Sequence, residues 1–493
     1  MNIKLVAMRC SLVDLSDELH LNIIQELLKH DDFLHEESLK PDPKRYNQEW
    51  DDDFQYHRDL MSWSSTSLYF RNLLAPYIFK SIKLRNDVKS GASVDAVLKS
   101  PHGALVKGIY FLGTIPPDID DLDDDEDDDP LAEGSYKESD DAEGEERPII
   151  ITFPPVVNDL LSDLHQFPNL ESLSIGFTYP YDDPFDEYYE TEGIMVNENP
   201  TAARARKALM TTTYETLLRS KPPQLRAVEI RKFVWTFTEP YESQGFQKFL
   251  SHVEHFRLSV RGGNNGACWC VNTCDGYLES VARFDELFFD HLASATSLTL
   301  RATDEGPIGL EGMRHARLAL TKEQMPLLQS LHLEHIFICQ ELVDFVLGHT
   351  DTLERLTLHD CHSSVNGLQD NDGFYWAHFF ETLHGADLKK LSHLEICPDD
   401  APLTFEPDSL QKEPVCPGDV RQIRRVPSDV AKRRVFGYAM LDDKYGECND
   451  DYEENRAAFE RGEDQAAFDR LMSNVNANAA NRGGKITDWQ VAT

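Results

Sequence analysis

Leu353-Glu-Arg-Leu-Thr-Leu-His-Asp-Cys361 is the stretch on which the reading of this chain turns. Leu353, Leu356 and Leu358 stand at positions i, i+3 and i+5, and the last two share one side of an extended chain. The same spacing returns at Val106, Ile109, Phe111; Leu170, Leu173, Ile175; Leu225, Val228, Ile230; Val253, Phe256, Leu258; Ala295, Leu298, Leu300; Leu328, Leu331, Leu333; and Leu391, Leu394, Ile396. One triplet is no signal, but eight in order are a repeat. From Leu170 onward the copies start 55, 28, 42, 33, 25 and 38 residues apart, so insertions of unequal length separate them. Leu342–Leu347, Phe246–His252 and Phe284–Leu292 carry apolar residues at helical spacing. A short strand or helix cannot bury its apolar side alone, and stacking such units buries all of them together. The expected fold is therefore α/β: over residues 100–400, a curved and irregular solenoid with parallel strands on the concave side and helices on the convex side.

The pattern L-x-x-L-x-L resembles that of leucine-rich repeats, and Cys361 takes the Asn or Cys position three residues after Leu358. Within each strand the leucines point into the solenoid and the residues between them reach the concave face. These are Ser172, Ser174; Glu229, Arg231; His255, Arg257; Thr299, Arg301; His332, Glu334; Arg355, Thr357, His359; and His393, Glu395. The row is mixed, locally basic and rich in His. Arg231, His255, Arg257, Arg301, His332, Arg355 and His359 are the expected target-binding residues. Their partner would be a protein with acidic or phosphorylated groups, because the guanidinium fork pairs with carboxylate and phosphate.

Composition narrows the classes further. The 493 residues include 87 Asp and Glu against 48 Lys and Arg, a formal net charge of −39. Such a surplus repels phosphate backbones and anionic lipid, so neither nucleic acid nor a membrane surface is an expected partner. No run approaches the 18 or so apolar residues of a membrane span. Nine cysteines, an apolar start too short for a secretion signal, and Asn199 blocked as a glycosylation site by Pro200 lead to a reduced compartment, cytoplasmic and/or nuclear. The acid is concentrated: residues 118–146 hold 17 Asp and Glu against one Lys, a composition that reads as a disordered loop. Arg421 to Arg434 leans the other way, with six Lys or Arg against one Asp. It has the composition of a nuclear import signal, and equally that of a basic surface paired within an acidic protein.

At the N-terminus Leu15-Ser-Asp-Glu-Leu19 opens an apolar helix pattern, with Leu15, Leu19, Ile23 and Leu27 four residues apart. After an acidic insertion at about residues 30–56, Leu60, Trp63, Phe70 and Leu74 form a facing stripe. Ser67, Phe70 and Arg71 lead through Ala75-Pro76 into a first strand. These features resemble the F-box of filamentous-fungal F-box proteins, whose opening L-P-D-E-L is matched except that Ser16 replaces Pro. Ser65 also stands where an apolar residue is common. The segment Arg433 to Glu447 and the helix-like Glu463 to Met472 resemble the C-terminal part of many such proteins. The resemblance implies an F-box/leucine-rich-repeat adaptor of an SCF-type (Skp–cullin–F-box) ubiquitin ligase. Leu15, Asp17, Glu18, Leu19, Ile23, Leu27, Leu60, Trp63 and Phe70 would bind the Skp-type linker of the cullin-RING ligase. The chain then divides into an F-box-like helical unit at 1–90, the solenoid at 100–400, and a C-terminal tail with a terminal helix at 401–493.

No phosphate loop, dinucleotide fingerprint, H-E-x-x-H or G-x-S-x-G occurs, so neither catalysis nor a cofactor is expected. Gly262-Gly-Asn-Asn-Gly266 reads as a turn, since no Lys-Ser/Thr follows. His252, His255, Cys268, Cys270 and Cys274 have zinc-ligand chemistry, but C-x-C-x3-C is not the usual knuckle spacing, and no metal is expected. Cys339, Cys361 and Cys397 follow repeat strands as small core thiols. The alternative to the ligase adaptor is an acidic leucine-rich-repeat scaffold outside any ligase, with the loop at 118–146 holding a basic partner or folding back over the Arg and His row.

Overall fold

The computed structural model describes residues 17–28, 55–115, 149–178, 200–220, 225–233, 237–264, 269–310, 312–365, 374–397 and 434–482. The acidic loop at 118–146, most of the acidic insertion and most of the basic stretch 421–434 lie outside them. Three helices come first, α1 (Asp17–Leu28), α2 (Gln55–Ser64) and α3 (Leu68–Ile78). Then β1 (Ser81–Arg85), α4 (Val88–Lys99), β2 (Gly108–Gly113), α5 (Pro155–Ser162), β3 (Ser172–Phe177), α6 (Pro200–Arg219), β4 (Ala227–Phe233), α7 (Gln244–Leu250) and β5 (His255–Val260) alternate. The alternation continues through α8 (Asp275–Ala282), α9 (Phe284–Leu287), β6 (Ser297–Arg301), β7 (Ser330–Glu334), α10 (Gln340–Gly348), β8 (Arg355–His359), α11 (Trp376–Gly385) and β9 (His393–Cys397). A hairpin of β10 (Ala439–Leu441) and β11 (Cys448–Asp450) precedes α12 (Tyr452–Arg461) and α13 (Glu463–Asn481).

The class is α/β. β1 to β9 form one parallel sheet in strict chain order, each strand bonded to its neighbours in sequence. The second apolar residue of every triplet is in register with the next: Ile109, Leu173, Val228, Phe256, Leu298, Leu331, Leu356 and Leu394 form one row. Phe111, Ile175, Ile230, Leu258, Leu300, Leu333, Leu358 and Ile396 form the other, and all sixteen are buried in one core. Phe79, Ile82 and Leu84 repeat the spacing as a ninth copy, with Ile82 opposite Ile109 and Leu84 opposite Phe111. The sheet thus begins within the 1–90 segment assigned to the helical unit.

Backbone bonds fix this register. The carbonyls of Lys80, Lys107, Glu171, Arg226, Glu254, Thr296, Gln329 and Glu354, each just after a first apolar residue, accept two N–H groups from the next copy at 2.7–3.1 Å. Glu354 N and Arg355 N, for example, donate to Gln329 O at 2.8 and 2.9 Å. The intervening helices bury the residues that their spacing marks: Leu342, Val343, Phe345 and Val346 in α10, and Trp376, Phe379, Phe380 and Leu383 in α11. Phe284–Leu292, expected as one helix, is α9 followed by a 3-10 turn at Phe289–His291, because Phe288 (φ −133°, ψ −59°) leaves the helical region.

The α1–α3 helices have a small core of their own, Ile24, Leu60, Phe70 and Leu74. Ser67 caps α3 by accepting from Phe70 N at 3.2 Å. The segment expected as a tail is instead built into the main core through Phe436, Tyr438, Phe468, Leu471 and Val475. Its anchor is Asp464. One carboxylate oxygen accepts from Ala377 N in the first turn of α11 at 2.8 Å, and the other accepts from the Tyr438 hydroxyl at 2.9 Å. Burial pushes the Asp464 carboxyl upward, although these bonds pull against it. Asp464→Ala strands the buried Tyr438 hydroxyl and the part-buried Ala377 N–H and should cost about 1–3 kcal/mol, read as a lower denaturant midpoint. Asp464→Asn keeps an acceptor for Ala377 N and should lose less, whereas an unchanged midpoint for the alanine variant would remove the anchoring role.

Candidate functional site

Two surfaces carry the expected site residues. On α1, Leu19 (49% exposed), Leu21 and Ile23 (36%) face outward while His20 and Ile24 are buried. The His20 ring stands against Phe70 with centroids 5.2 Å apart, and its Nδ1 is 3.2 Å from the Tyr69 hydroxyl. With Ile24 turned inward, the facing stripe expected to meet a partner does something else: Leu60 and Phe70 are core residues, corrected here from binding residues to the pair that holds α2 and α3 to α1. Trp63 is half-buried with its ring 5.0 Å from that of Phe70. The outward surface is extended by residues that the four-residue spacing did not mark, Leu21, Met61 (51%), Leu68 (73%) and Tyr69. Asp17, Glu18 and Leu27 belong to α1, but their side chains, like all of Leu15, lie outside the described residues.

The second surface is the inner face of the sheet. Register aligns Glu229, Arg257, Thr299, His332, Thr357 and Glu395 in one cross-strand row. Ser259, Arg301, Glu334, His359 and Cys397 form the next. His255 and Arg355, at the first position of their strands, are exposed, and Arg231, Arg257 and Arg301 are half-buried. His332 and His359 are each only 7% exposed, a correction to the expectation that every residue between the leucines is on display. Strands about 4.8 Å apart crowd an imidazole set between Thr299 and Thr357.

Most charges here are matched. Arg301 Nε is 3.0 Å from Glu334 Oε2, His359 Nδ1 is 2.9 Å from Asp360, and His393 is 3.3 Å from Glu395. Arg231 lies 3.8 Å from Glu229, with its guanidinium 5.3 Å from the centre of the Tyr110 ring. Burial, then the charges of Arg301, His359 and Arg257, drives His332 down to about 3. Burial also opposes a charge on His359, but the Asp360 hydrogen bond and carboxylate prevail and raise it.

Of the zinc-like set, His252, His255, Cys270 and Cys274 are described. Cys268 lies outside the described residues, Cys270 is buried with its N–H donated to Tyr445 O at 2.8 Å, and His252 Nδ1 is 2.7 Å from Lys248 O. Among the described residues no three His, Cys, Asp or Glu side chains are grouped to hold a metal ion. A Cβ on Gly262 would fall 1.6 Å from Thr303 Oγ1, so the glycine serves a close backbone approach. Cys339 and Cys361 are buried thiols, the former pushed up to about 12 by burial, while Cys397 is half-buried. No helix among the described residues is long and apolar enough to cross a membrane. Compared with known protein families and with curated proteins, the chain finds no match in either.

The depressed histidines set a pH dependence. An unfolded His takes its proton near pH 6.5, whereas His332 in the fold holds out until about 3. The unfolded chain therefore binds that proton first, and stability is lost as the pH falls from about 6.5 toward 3. His362, lowered to about 4 by burial and then by His335, adds to the loss. His359 works in the opposite sense: its pairing is fully present below the unfolded His value and fades as the pH rises through its raised one. His332→Asn should reduce the fall in Tm between pH 7 and 4, and an identical fall in variant and parent would contradict this account.

Proposed function

We propose that the chain is the substrate-recognition adaptor of an SCF-type ubiquitin ligase. In this reading α1–α3 are an F-box that docks on a Skp-type linker. The nine-stranded sheet is the inner wall of an irregular leucine-rich-repeat solenoid, and its face holds a protein target. The adaptor supplies no catalytic group; it raises the effective concentration of a target beside the ubiquitin-charged enzyme.

The observation that carries this reading is how α1–α3 divide their apolar side chains. Four fill a core, and Leu19, Leu21, Ile23, Met61, Leu68 and Tyr69 remain outside it. An exposed apolar surface of this kind on so small a unit marks an interaction site. Taking such a side chain from full exposure to burial is worth about 1.5–3 kcal/mol; at 36–73% exposure the six together offer on the order of 5 kcal/mol, set against an association cost of about 4–15. Stable docking needs most of them engaged. The solenoid reading is supported by strict parallel order and by nine triplets in one register, stacked as repeat units stack.

Leu19→Asp with Ile23→Asp places charge on the outward face and should weaken co-purification with the linker at least 100-fold, the sheet remaining folded. Leu60→Asp puts a charge in the small core and should unfold α1–α3 themselves. A complex that survives the Leu19 and Ile23 changes would sink the adaptor reading and leave a binding scaffold outside any ligase.

A further inference from the structure

Away from the inner face, the β10–β11 hairpin meets the loops that follow β5 and β6. Cys270 N donates to Tyr445 O at 2.8 Å, and Arg314 donates to Thr273 O and Asp443 O at 3.0 and 3.4 Å. The Trp269 and Tyr445 rings meet edge to face at 5.5 Å. Ala439 and Leu441 of β10 are buried against Phe337, and β11 sets Asp450 opposite Ala439 and Cys448 opposite Leu441, so all four side chains share one face. Burial, then the charges of Asp450 and Asp304, pushes the Cys448 thiol up, which puts Asp304, exposed in the turn closed by Gly306 N and Thr303 O, beside the same place. Neither carboxylate has a hydrogen bond or ion pair among the described residues. Arg314 is spent on the two carbonyls, and Lys444 lies over the Tyr445 ring, 4.4 Å from its centre. Two buried side chains of these loops are unpaired as well: Asn272 at both Oδ1 and Nδ2, and Thr303 at Oγ1. Asn272 stands under the hairpin turn, since a Cβ on Gly446 would lie 3.7 Å from its own. Unpaired polar atoms at this depth are costly, and several at one junction call for a partner from outside the chain.

We propose that this junction, with Asp450 and Asp304 as its charged walls, seats a lysine or arginine side chain presented by a basic segment of the protein target. This adds a contact beyond the inner face to the target-holding half of the proposed function and rests on that half. Sign and chemistry agree. Asp442, Asp443 and Glu447 in the hairpin turn add to the negative field, against Lys444 and Arg314 alone on the same segments, so a cation is attracted and an anion repelled. The donors of an ammonium or guanidinium group supply what two bare carboxylates lack, and such charge-assisted bonds are the strong ones. The exposed Trp269 and Met313 at the edge of the junction offer apolar surface to the long aliphatic stem. In the free chain the arrangement works against the fold: burial pushes Asp450 up to about 6, whereas an unfolded Asp ionises near 3.8. Its charge therefore lowers stability fully above about pH 6, and the loss fades as the pH falls toward 3.8. A group that costs stability while free and gains a partner on binding behaves as a recognition residue.

The experiment selects a phage-displayed library of random peptides on the full chain, then measures the recovered peptides by fluorescence anisotropy. They should carry Lys or Arg, and replacing that residue by Gln should weaken binding about ten-fold or more. Asp304→Asn with Asp450→Asn in the protein should weaken it as much. Asp344→Asn with Asp387→Asn, two exposed carboxylates on α10 and just after α11, makes the same change in net charge and should alter nothing. That control separates the seat from the general attraction of an acidic chain. Recovery of no binding peptide, peptides that need no Lys or Arg, or equal binding to the Asp304 and Asp450 variant would overturn the seat. Asp450→Asn by itself should raise Tm at pH 7; a lower Tm would show that the carboxylate serves the fold, and would overturn it too. The linker test remains separate: Leu19→Asp, Ile23→Asp protein should bind the same peptides. Peptide binding indifferent to Asp304 and Asp450 with linker binding retained then sinks the seat alone, whereas an intact seat in a chain that never bound the linker sinks the adaptor role alone.

Discussion

Eight peptide carbonyls, from Lys80 to Glu354, each hold two N–H groups of the following copy, and this bifurcated contact sets the register of the whole sheet. Side chains alternate with a period of two, so a slip of one residue would turn the leucines to the inner face and drive Arg257, Arg301 and Glu334 into the core. The cost of burying those charges enforces the register as strongly as the gain from burying Leu298, Leu331 and Leu356. Chemistry on one face and packing on the other are therefore one constraint. It also explains why unequal insertions are tolerated. Once the strand start is pinned, an excursion between copies adds only a loop-closure term that grows slowly with length.

Periodicity in the sequence reports which side of an element a residue takes, and it does so well where the pattern is dense. Leu353, Leu356 and Leu358 were legible because their like recurs in order, and the same signal in Phe79, Ile82 and Leu84 is only masked by the helix running into it. Adjacent apolar residues are different. Ile23 and Ile24 both suit an amphipathic α1, and only contacts with Leu60, Phe70 and Leu74, far along the chain, decide that Ile24 turns inward. Leu60 and Phe70 were misjudged for the same reason, since a stripe can face a partner or its own neighbours with equal ease.

Depth is hidden as well. Alternation places His332 on the inner face, but its burial follows from Thr299 and Thr357 on flanking strands and from Arg301 and Glu334 in the next row. The C-terminal segment was opaque on separate grounds. It carries no repeat, and what fixes it is a single carboxylate, Asp464, reaching a backbone N–H 87 positions earlier. No local pattern announces such a contact. Apolar residues such as Phe436 and Phe468 then read as a tail although they complete the core against Phe380.

In the proposed adaptor, the separation between the docking surface and the inner face must be stiff, since a target is useful only if it is held in one place. The join between α3 and the sheet meets that demand. Only Phe79 and Lys80 lie between α3 and β1, and neither is slack: Phe79 N donates to Ala75 O at 3.0 Å, and Lys80 N to Tyr77 O at 3.4 Å. The Phe79 ring stacks at 4.3 Å on His102, which belongs to the 3-10 turn Pro101–Leu105 that leads into β2. Lys80 O is itself the first of the eight bifurcated acceptors. The bond that begins the register of the sheet is thus made by the residue that ends the helical unit. The constraint that keeps Arg257 and His332 on the inner face is continuous with the one that orients Leu68 and Tyr69 on α3.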